Sequence, residues 1–494
     1  MLLKNLLPNH CGLEAEISSI ETDSRLVKKG SIFFALQGSN FDGAKFIDSA
    51  FRNGAIAVVC VVNCDLSLLH NANNPAIIKV ENVYQSLIKA LQKFYPNLPK
   101  NILAITGTNG KTSVAYFAHQ MQKLLGKKSA FIGTIGIKTS DLEIENSLTK
   151  FNLTTPDIVW LYQNLAILAQ NGINDVAIEA SSIGLEQKRL AGLKIGLGAF
   201  TNFTQDHLDY HQTMQKYFDC KMLLFSEVLQ KNDIAILNAD IGEFEEMKAI
   251  AFGKGLRVFF YSSKNKFFAY SGDQNLAIDF INQSNEFKNF SSGIGFLDAN
   301  IFCALLSVVA YYQPSLSQIE LLISNLSKLK PAEGRMQKVA TLENGSQIFI
   351  DYAHTPDALL NVLENAKKIP HNNLYVLFGC GGDRDKSKRP KMGKIACDLA
   401  DFVIISDDNP RTENAENIRR DILQNCDLGK IVEIGNRKEA ILQAITMLQN
   451  NDILIIAGKG HEKYQIIGDK KFEFDEEKIV NSLTRKHLGT NLST

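Results

Sequence analysis

A glycine-rich segment that ends in lysine and threonine is the clearest chemical feature of this sequence. It reads Thr106-Gly-Thr-Asn-Gly-Lys-Thr112. The glycines let backbone N–H groups close around phosphate oxygens, the lysine supplies a cation, and the last threonine hydroxyl can ligate Mg²⁺. The segment therefore predicts a nucleoside triphosphate site formed by Gly107, Thr108, Asn109, Gly110, Lys111, Thr112 and Ser113.

The loop departs from the commonest phosphate-binding pattern at its start. The pattern G-x-x-x-x-G-K-[ST] requires glycine at position 105, where this chain has Ile105. The shorter form, which begins at Gly107, argues against GTPases and motor-type ATPases. The apolar run before the loop and the helix-like run after it still predict the strand, turn and helix that a phosphate site needs.

Two further residues are candidates for a magnesium site, because one threonine hydroxyl cannot hold the ion alone. Glu179 ends the apolar run 175–179, which we predict to form a strand beside the strand that precedes the phosphate loop. His207 follows the next apolar run along the chain. We therefore expect Glu179 and His207 to lie above the loop and to join Thr112 around Mg²⁺.

Four polar segments follow four apolar, strand-like runs near the end of the chain. They cover residues 351–357, 379–385, 406–411 and 457–462. Ligands of open α/β sheets lie beyond the carboxyl ends of the strands, so these segments predict a second binding face. The four segments lack the Gly-Lys-Ser/Thr helix entry, and we therefore expect this face to bind a second substrate while ATP binds elsewhere.

The elements that must position these residues are βα units. Short β-branched runs alternate with longer amphipathic segments through most of the 494 residues, which is typical of mostly parallel sheets. We predict three α/β domains: a smaller N-terminal domain at 1–97, a central domain at 98–329 with a sheet like that of P-loop ATPases, and a Rossmann-like domain at 330–494. The polar region 255–295 predicts no definite element.

Composition excludes several classes of function. The chain has 53 basic and 53 acidic residues, so no net charge draws it to nucleic acid or to an anionic membrane. The longest apolar, uncharged run, 301–312, is short of the roughly 20 residues that cross a bilayer, and the N-terminus has no pattern of a signal peptide. The scattered cysteines, of which Cys60 and Cys64 are the only close pair, indicate reduced thiols in a cytoplasmic protein.

Taken together, these motifs resemble in content and order those of the Mur ligases, ATP-dependent amide-bond-forming enzymes of peptidoglycan precursor synthesis. Within that family the chain is most similar to the MurE type, which adds the third residue of the stem peptide. The resemblance spans nearly the whole chain. It rests on the phosphate loop and on segments 154–156, 179–182, 187–189, 201–211, 217–221, 334–335, 351–357, 382–390 and 458–462.

The resemblance implies a reaction. The γ-phosphate of ATP passes to the D-Glu carboxylate of UDP-MurNAc-L-Ala-D-Glu, and an amine attacks the resulting acyl phosphate. Asp408-Asn-Pro-Arg411 resembles the signature of the members that add meso-diaminopimelate, in which an arginine receives the carboxylate that lysine lacks. The implied protein is a monomeric cytoplasmic acid–amino-acid ligase that needs ATP and Mg²⁺ and acts on small-molecule substrates, without nucleic acid or membrane insertion.

It also implies catalytic and nucleotide-binding roles for particular residues. Lys221 is carbamylated in the family, and as a carbamate it would hold Mg²⁺ together with Thr112, Glu179 and His207. The sequence alone, without the resemblance, predicts that Lys221 is a surface lysine on a helix. The implied catalytic residues are Lys111, Glu179, His207 and Lys221, and the implied nucleotide contacts outside the loop are Asn300, Arg335, Asp351 and His354.

The remaining implied residues bind the two other substrates. In the first domain, Ser24 and the turns at 37–38 and 42–43 would hold the uridine end. The implied UDP-MurNAc-dipeptide set is Ser24, Thr154, Thr155, Ser181, Gln187, Arg189 and Lys221. The implied diaminopimelate set is Arg384, Asp408, Asn409, Pro410, Arg411, Gly458 and Glu462.

Three alternatives remain open at this point. The chain could be a MurE-type ligase that adds L-lysine, or a folylpolyglutamate synthetase, against which the extra N-terminal block and the Asp-Asn-Pro-Arg loop argue. It could also be a nucleotide-sensing NTPase module whose third block binds a partner. Four polar strand-end loops, together with Glu179 and His207, favour catalysis over the module.

Overall fold

A computed structural model describes residues 1–7, 15–38, 42–64, 76–148, 151, 153–272, 275–292, 295–424, 426 and 428–489. The strands group into three main sheets that follow one another along the chain, each flanked by helices. The predicted α/β class, with mostly parallel sheets in a central and a C-terminal region and a smaller N-terminal one, is confirmed. The exact domain limits stay predictions.

The N-terminal sheet is parallel, with strands in the order β1-β2-β3-β4. Asn82 caps the last helix of this region by accepting from the backbone N–H of Gln85 at 2.9 Å. One face of the sheet packs on residues of the central region, so the two regions share a core. The elements are α1 Leu3–Leu6, β1 Ser19–Glu21, β2 Ser31–Phe34, α2 Ile47–Arg52, β3 Ala57–Val61, β4 Ala76–Val80 and α3 Val83–Phe94.

The central sheet has the order β12-β11-β10-β9-β5-β8-β6-β7 and is parallel from β11 to β6, with antiparallel strands at both edges. The predicted strands near 102, 175, 196 and 233 are all present. Their elements are β5 Asn101–Thr106, α4 Lys111–Leu124, β6 Ser129–Gly133, β7 Gly136–Thr139, α5 Leu142–Ser147, α6 Ile158–Gln170, β8 Asp175–Glu179, α7 Ser182–Glu186, β9 Leu197–Phe200, α8 Leu208–His211, α9 Met214–Leu223 and β10 Ile234–Asn238.

The region 255–295, where the sequence predicts no definite element, completes this sheet. It contributes an edge hairpin and two short helices, whose apolar side chains join the main core. Strand β11 contains the apolar run 258–261, a usable signal that was missed, whereas the half-buried strand β12 and the polar, Asn-rich stretches around it carry little periodicity. The remaining central elements are α10 Phe244–Gly253, β11 Arg257–Ser262, β12 Phe267–Tyr270, α11 Leu276–Gln283, α12 Asn285–Asn289, α13 Gly295–Tyr312 and α14 Leu316–Ser324.

Helix α13 is longer than the apolar run that the sequence marks out. It is 18 residues long and, by length and composition alone, apolar enough to cross a membrane, but 72% of it is buried inside the protein. It packs along α4 and against β10 and β11. Burial on several sides explains why its apolar residues surround the helix instead of forming one stripe.

The C-terminal sheet has the order β13-β14-β18-β15-β16-β17 and is parallel except for β13. All four predicted strands are present, and a separate hairpin, β19-β20, follows them. The elements are β13 Gln337–Thr341, β14 Gln347–Asp351, α15 Pro356–Ala366, β15 Leu374–Phe378, α16 Lys388–Leu399, β16 Phe402–Ile405, α17 Ala415–Leu423, β17 Ile431–Glu433, α18 Arg437–Met447, β18 Ile453–Ala457, β19 Tyr464–Ile467, β20 Lys470–Glu473 and α19 Glu476–Gly489.

Candidate active site

The phosphate loop joins the end of β5 to the start of α4, as the sequence predicts. Gly107 and Gly110 have φ of +140° and +82°, a region that side chains rarely adopt. A Cβ at Gly107 would collide with the Thr201 hydroxyl, and one at Gly110 with the Asn300 side-chain oxygen. Both glycines are therefore required by backbone conformation and by close packing.

Two lysines from distant parts of the chain meet at this loop. Lys111 Nζ donates to the carbonyl oxygens of Gly107 at 2.9 Å and Thr108 at 2.6 Å, and Lys221 Nζ donates to the same Gly107 oxygen at 2.7 Å. Lys221 is only 1% exposed, and its ammonium lies 4.2 Å from the Tyr217 ring centroid. The prediction of a surface lysine, which follows from the sequence alone, is therefore wrong.

The environment of Lys221 favours the neutral amine. Burial, reinforced by the neighbouring Lys111, lowers the pKa of Lys221 well below its ordinary value. Burial also lowers the pKa of Lys111, while the Glu179 carboxylate opposes that change. Two ammonium groups on one carbonyl oxygen repel each other, so the site favours a chemical form of Lys221 that is not cationic.

Glu179 ends β8, which pairs with β5 and so brings the carboxylate beside the phosphate loop. The side chain is fully buried, and its oxygens accept from Thr134 N at 2.8 Å and Thr134 Oγ1 at 3.1 Å. Burial raises the pKa of Glu179, and Lys111 opposes the rise. Thr134 was missed from sequence, although it directly follows strand β6 and so matches the strand-end rule that found Glu179.

His207 lies in the loop after β9, with a positive φ of +52° and a side chain that is 46% exposed. Its Nε2 is 3.4 Å from Asp206 Oδ2. Partial burial lowers the pKa of His207, with Lys111 and Lys221 adding to the effect and Asp206 opposing it. The imidazole is therefore close enough to both lysines to feel their charge.

Beside the loop, a cavity of about 110 Å³ opens between the central and C-terminal regions. Seven of the residues predicted to bind the nucleotide line it, three from the phosphate-loop motif and four implied by the resemblance: Asn109, Gly110, Ser113, Asn300, Arg335, Asp351 and His354. The sequence reasoning missed other lining residues, namely Asn202, Phe296, Tyr352, Ala353, Ala358, Asn361 and Val362. Asn202 and Tyr352 stand inside the quoted motifs, so their positions carried a usable signal.

Arg335 connects the cavity to the phosphate loop. Its Nη2 donates to the Thr112 hydroxyl at 3.2 Å, and its guanidinium carbon lies 4.6 Å from the Tyr352 ring centroid. Asn109 Nδ2 donates to Asp357 Oδ2 at 2.8 Å. Because Arg335 and Asp357 belong to the C-terminal region, these contacts hold the two regions together across the cavity.

Asp351 and His354 have backbone partners of their own. The Asp351 carboxylate accepts from Met336 N at 2.6 Å and from Ala353 N at 2.7 Å, so it fixes the loop as well as lining the cavity. His354 Nδ1 lies 2.8 Å from the Tyr352 carbonyl oxygen. Burial lowers the pKa of His354 to about 4, so its imidazole is neutral near pH 7.

Most residues of the implied dipeptide set cluster next to Glu179. Thr155 Oγ1 donates to the Glu179 carbonyl oxygen at 2.8 Å and lies 3.1 Å from Ser181 Oγ. Arg189 Nη1 donates to the Thr155 carbonyl oxygen at 2.6 Å, and its Nη2 to Gln187 Oε1 at 2.6 Å. Thr154 joins them, since its Oγ1 lies 3.2 Å from Thr134 Oγ1.

Ser24 is distant from that cluster in sequence and belongs to the N-terminal sheet region. It is buried, and its carbonyl oxygen accepts from Asn53 Nδ2 at 2.8 Å. A cavity of about 590 Å³ in the same region is lined by the expected turn residues Gln37 and Asp42, whereas Ser24 is not among the described residues that line it. Residues 39–41 between these turns lie outside the described part of the chain.

The C-terminal strand ends bring together the implied acceptor residues. Asn409 Nδ2 donates to Glu462 Oε2 at 2.8 Å, and Lys459 Nζ donates to Asn409 Oδ1 at 3.0 Å and to Glu462 Oε2 at 3.3 Å. Gly458 has φ +116°, and a Cβ there would lie 2.7 Å from Asp408 Oδ2. Lys459, which is fully buried, was missed although it stands inside the motif at 458–462.

Arg384 and Arg411, the two arginines expected to bind carboxylates of the acceptor, both lie close to Gly381. A Cβ at Gly381 would lie 2.8 Å from Arg411 Nη1 and 3.9 Å from Arg384 Cγ. Arg411 has φ +51°, and its Nη1 donates to the Gly382 carbonyl oxygen at 2.8 Å. A Cβ at Gly382 would collide with the carbonyl oxygen of Pro410, so the loops that carry the arginines are in close contact.

A buried ion-pair network fastens these loops. Arg389 is 1% exposed and bonds Glu413 at 2.9 Å and Asp421 at 2.9 Å. Glu413 also accepts from Asp383 N at 2.6 Å, and Asp383 accepts from the Thr412 hydroxyl at 2.8 Å. Arg389 lowers the pKa of Glu413 to about 2, so the carboxylate stays ionised near neutral pH.

Comparison with known families gives three matches in chain order. The family described as "Mur ligase family, catalytic domain" matches residues 16–98, "Mur ligase middle domain" matches 105–303, and "Mur ligase, glutamate ligase domain" matches 334–460. The matched segments together cover most of the chain.

Curated relatives match over nearly the full length. A UDP-N-acetylmuramoyl-L-alanyl-D-glutamate--2,6-diaminopimelate ligase of Rickettsia prowazekii (strain Madrid E) is 42% identical, with 98% of each chain covered. A protein of the same name from Bradyrhizobium diazoefficiens is 37% identical, with 97% of this chain and 98% of that one covered.

Solved structures give the same picture at the level of the fold. A structure of a UDP-N-acetylmuramoyl-L-alanyl-D-glutamate--2,6-diaminopimelate ligase has a TM-score of 0.62, 30% identity and 99% coverage of both chains. A Thermotoga maritima MurF ligase in complex with ADP has a TM-score of 0.59 at 17% identity, covering 96% of this chain and 98% of that one. A Mycobacterium tuberculosis folylpolyglutamate synthase has a TM-score of 0.57 at 15% identity, and 75% of this chain is covered against 91% of that one.

Proposed function

The chain belongs to the Mur ligase family, and we propose that it joins meso-diaminopimelate to UDP-MurNAc-L-Ala-D-Glu with consumption of ATP, in the cytoplasm. The observation that carries the proposal is the convergence of Lys111, Lys221 and Glu179 on the phosphate loop. Relatives named UDP-N-acetylmuramoyl-L-alanyl-D-glutamate--2,6-diaminopimelate ligase match over nearly their full length, one of them at 42% identity, and they support the choice of substrates.

The chemistry needs activation because a carboxylate is a poor electrophile. The γ-phosphate of ATP moves to the D-Glu carboxylate, ADP leaves, and the acyl phosphate reacts with the acceptor amine to give an amide and inorganic phosphate. The backbone at 107–110 and Lys111 would bind the phosphates and stabilise charge on the phosphoryl group in flight. The cluster of Thr155, Ser181 and Arg189 beside Glu179 would hold the carboxylate in line with them.

Magnesium fits the donor set at this site. Thr112 offers a hydroxyl, Glu179 a carboxylate, His207 an imidazole and Lys221, once carbamylated, a second carboxylate. Bound Mg²⁺ would neutralise negative charge on the phosphates during transfer. The two hydrogen bonds from Thr134 fix the orientation of the Glu179 carboxylate toward such an ion.

Lys221 has the properties that carbamylation requires. The neutral amine attacks CO₂ to form an N–C bond, and one proton leaves to solvent, which gives an anionic carbamate. Burial and the charge of Lys111 favour the neutral amine, and the positive charge of Lys111 also favours an anionic carbamate at this position. The carbamate would thereby relieve the repulsion between two amines that share the Gly107 carbonyl oxygen.

The loops at the C-terminal strand ends would select diaminopimelate as the acceptor. Arg384 and Arg411 can each bind a carboxylate through two N–H groups, while Asp408, Asn409 and Glu462 would orient the polar ends of the amino acid. Domain closure over these loops would keep water from the acyl phosphate.

The decisive experiment is phosphate release by the full chain with ATP, Mg²⁺ and UDP-MurNAc-L-Ala-D-Glu, with diaminopimelate and L-lysine offered separately. We expect release only when both nucleotide-peptide and acceptor are present, with diaminopimelate strongly preferred. Preference for lysine would identify a lysine-adding ligase, and activity only with a folate and glutamate would identify a folylpolyglutamate synthetase. Hydrolysis unaffected by either substrate would identify an NTPase module.

A further inference from the structure

Three helices behind the phosphate site bring together a carboxylate, an imidazole and a thiol. Glu186 ends α7, His211 ends α8 and Cys220 lies in α9. One potential ligand atom from each of the three lies within 4.8 Å of the others. Oxygen, nitrogen and sulfur donors in one cluster suit zinc and similar divalent cations, because a soft thiolate binds these ions well and binds the hard Mg²⁺ ion poorly.

His211 is held in an orientation that suits a metal ligand. It is buried, and its ring is packed between Tyr210 and Tyr217, with centroid distances of 4.8 Å and 5.1 Å. Its Nε2 lies 2.9 Å from Ser182 Oγ. When Nε2–H donates to that hydroxyl, the Nδ1 lone pair is available for coordination, which is the usual arrangement of a second-shell partner.

The spacing requires only a small contraction. Tetrahedral zinc with bonds of about 2.0–2.3 Å places its ligand atoms roughly 3.3–3.7 Å apart. The side chains of Glu186, which is exposed, and Cys220, which is partly buried, can close the remaining gap of about 1 Å by changes of rotamer. The exposed side at Glu186 gives the ion a route from solvent.

We propose that Glu186, His211 and Cys220 form a binding site for a zinc-class divalent cation, with water as the fourth ligand. On binding, a metal–sulfur bond forms and the thiol proton leaves to solvent. Cys220 and Lys221 are adjacent on α9, so their side chains point about 100° apart around the helix axis. Tyr217 contacts both sites, since its ring centroid lies 5.1 Å from that of His211 and 4.2 Å from Lys221 Nζ. By joining α7, α8 and α9, the ion would stabilise the segment that carries Lys221.

Cobalt(II) titration of the full-length protein tests this proposal, with excess Mg²⁺ and no nucleotide present. We expect one equivalent to produce the near-ultraviolet charge-transfer band of a cobalt–thiolate bond and the visible bands of tetrahedral cobalt, both displaced by Zn²⁺. Cys220→Ser should abolish the charge-transfer band. Ser182→Ala should weaken binding about 10- to 100-fold, the usual effect of losing a second-shell partner.

Cys397→Ser is the matched control, since Cys397 is another partly buried free thiol, and it should leave the titration unchanged. Glu186→Gln, a substitution at an exposed residue that should not affect folding, should weaken binding at least tenfold. Absence of the band in the unmodified protein at millimolar cobalt, or a full band in Cys220→Ser, would overturn the proposal.

Discussion

The phosphate site and the acceptor face both present charged groups to anionic ligands, but their structural support differs. At the phosphate site, Lys221 and Glu179 are buried and stand on regular elements of the central region. On the acceptor face, Arg384 and Arg411 come from loops that are held by contacts among Arg389, Glu413 and Asp383.

The difference separates two ways of controlling a charge. At the phosphate site burial shifts the pKa of the charged groups, downward for Lys221 and upward for Glu179. On the acceptor face the ion pair with Arg389 lowers the pKa of Glu413, and Glu413 in turn fixes the loops that carry the two arginines. Substitutions at the first site should therefore affect chemistry, and those at the second should affect acceptor binding.

The largest effect should follow Lys111→Ala. Loss of the cation that faces the transferring phosphoryl group should lower kcat about 10²- to 10³-fold, by analogy with other groups that stabilise transition-state charge. Phosphate release at saturating substrates measures it. Lys123→Ala, on the exposed side of the same helix, should retain full activity. A matching loss in the control would point to helix damage instead.

Lys221→Met should lower kcat by about 10²-fold, because it removes the proposed carbamate as well as the buried amine. In protein equilibrated with ¹³C-bicarbonate, NMR should detect a carbamate signal that is missing in the variant. A carbamate signal that persists in Lys221→Met would assign the modification to a different amine.

Arg411→Ala should act on acceptor choice. Loss of a charge-assisted hydrogen bond is worth about 1.5–3 kcal/mol, so KM for diaminopimelate should rise roughly 10- to 100-fold, with KM for ATP unchanged. The kcat/KM ratio of diaminopimelate over lysine measures the effect, with Arg420→Ala on exposed helix α17 as control. An unchanged ratio would refute the role of Arg411 as the receptor of the distal carboxylate.

Glu413→Gln should have the smallest effect, a rise of severalfold in KM for diaminopimelate through looser loops. Its pH dependence is more specific. Because Arg389 lowers the pKa of Glu413 from 4.5 to about 2, the stabilisation is fully present above about pH 4.5 and is lost as the pH falls toward 2. The Tm difference between native protein and variant should therefore shrink from pH 7 to pH 3. Glu416→Gln, in an exposed pair, should show no such trend.

Much of the fold could be predicted because its signals are local. Apolar runs of four to six residues marked the buried parallel strands, and the polar residues after them marked the sheet edges where ligands bind. That rule found Glu179 and the acceptor loops, and applied strictly it would also have found Thr134. It would also have found β11, whose apolar run 258–261 was missed, but the half-buried strand β12 and the short helices after it leave little periodicity in a polar segment.

The phosphate loop, the succession of strands along the chain and the polar strand-end segments can be predicted from the sequence, because each depends on neighbouring residues. The burial of Lys221 against the Gly107 carbonyl oxygen, 114 positions away, and the contacts by which Arg389 fastens the acceptor loops become visible only in three dimensions. The same holds for the meeting of Glu186, His211 and Cys220. The burial of a side chain and the charges that surround it depend on how distant elements pack. The spacing of residues along the chain does not reveal that packing.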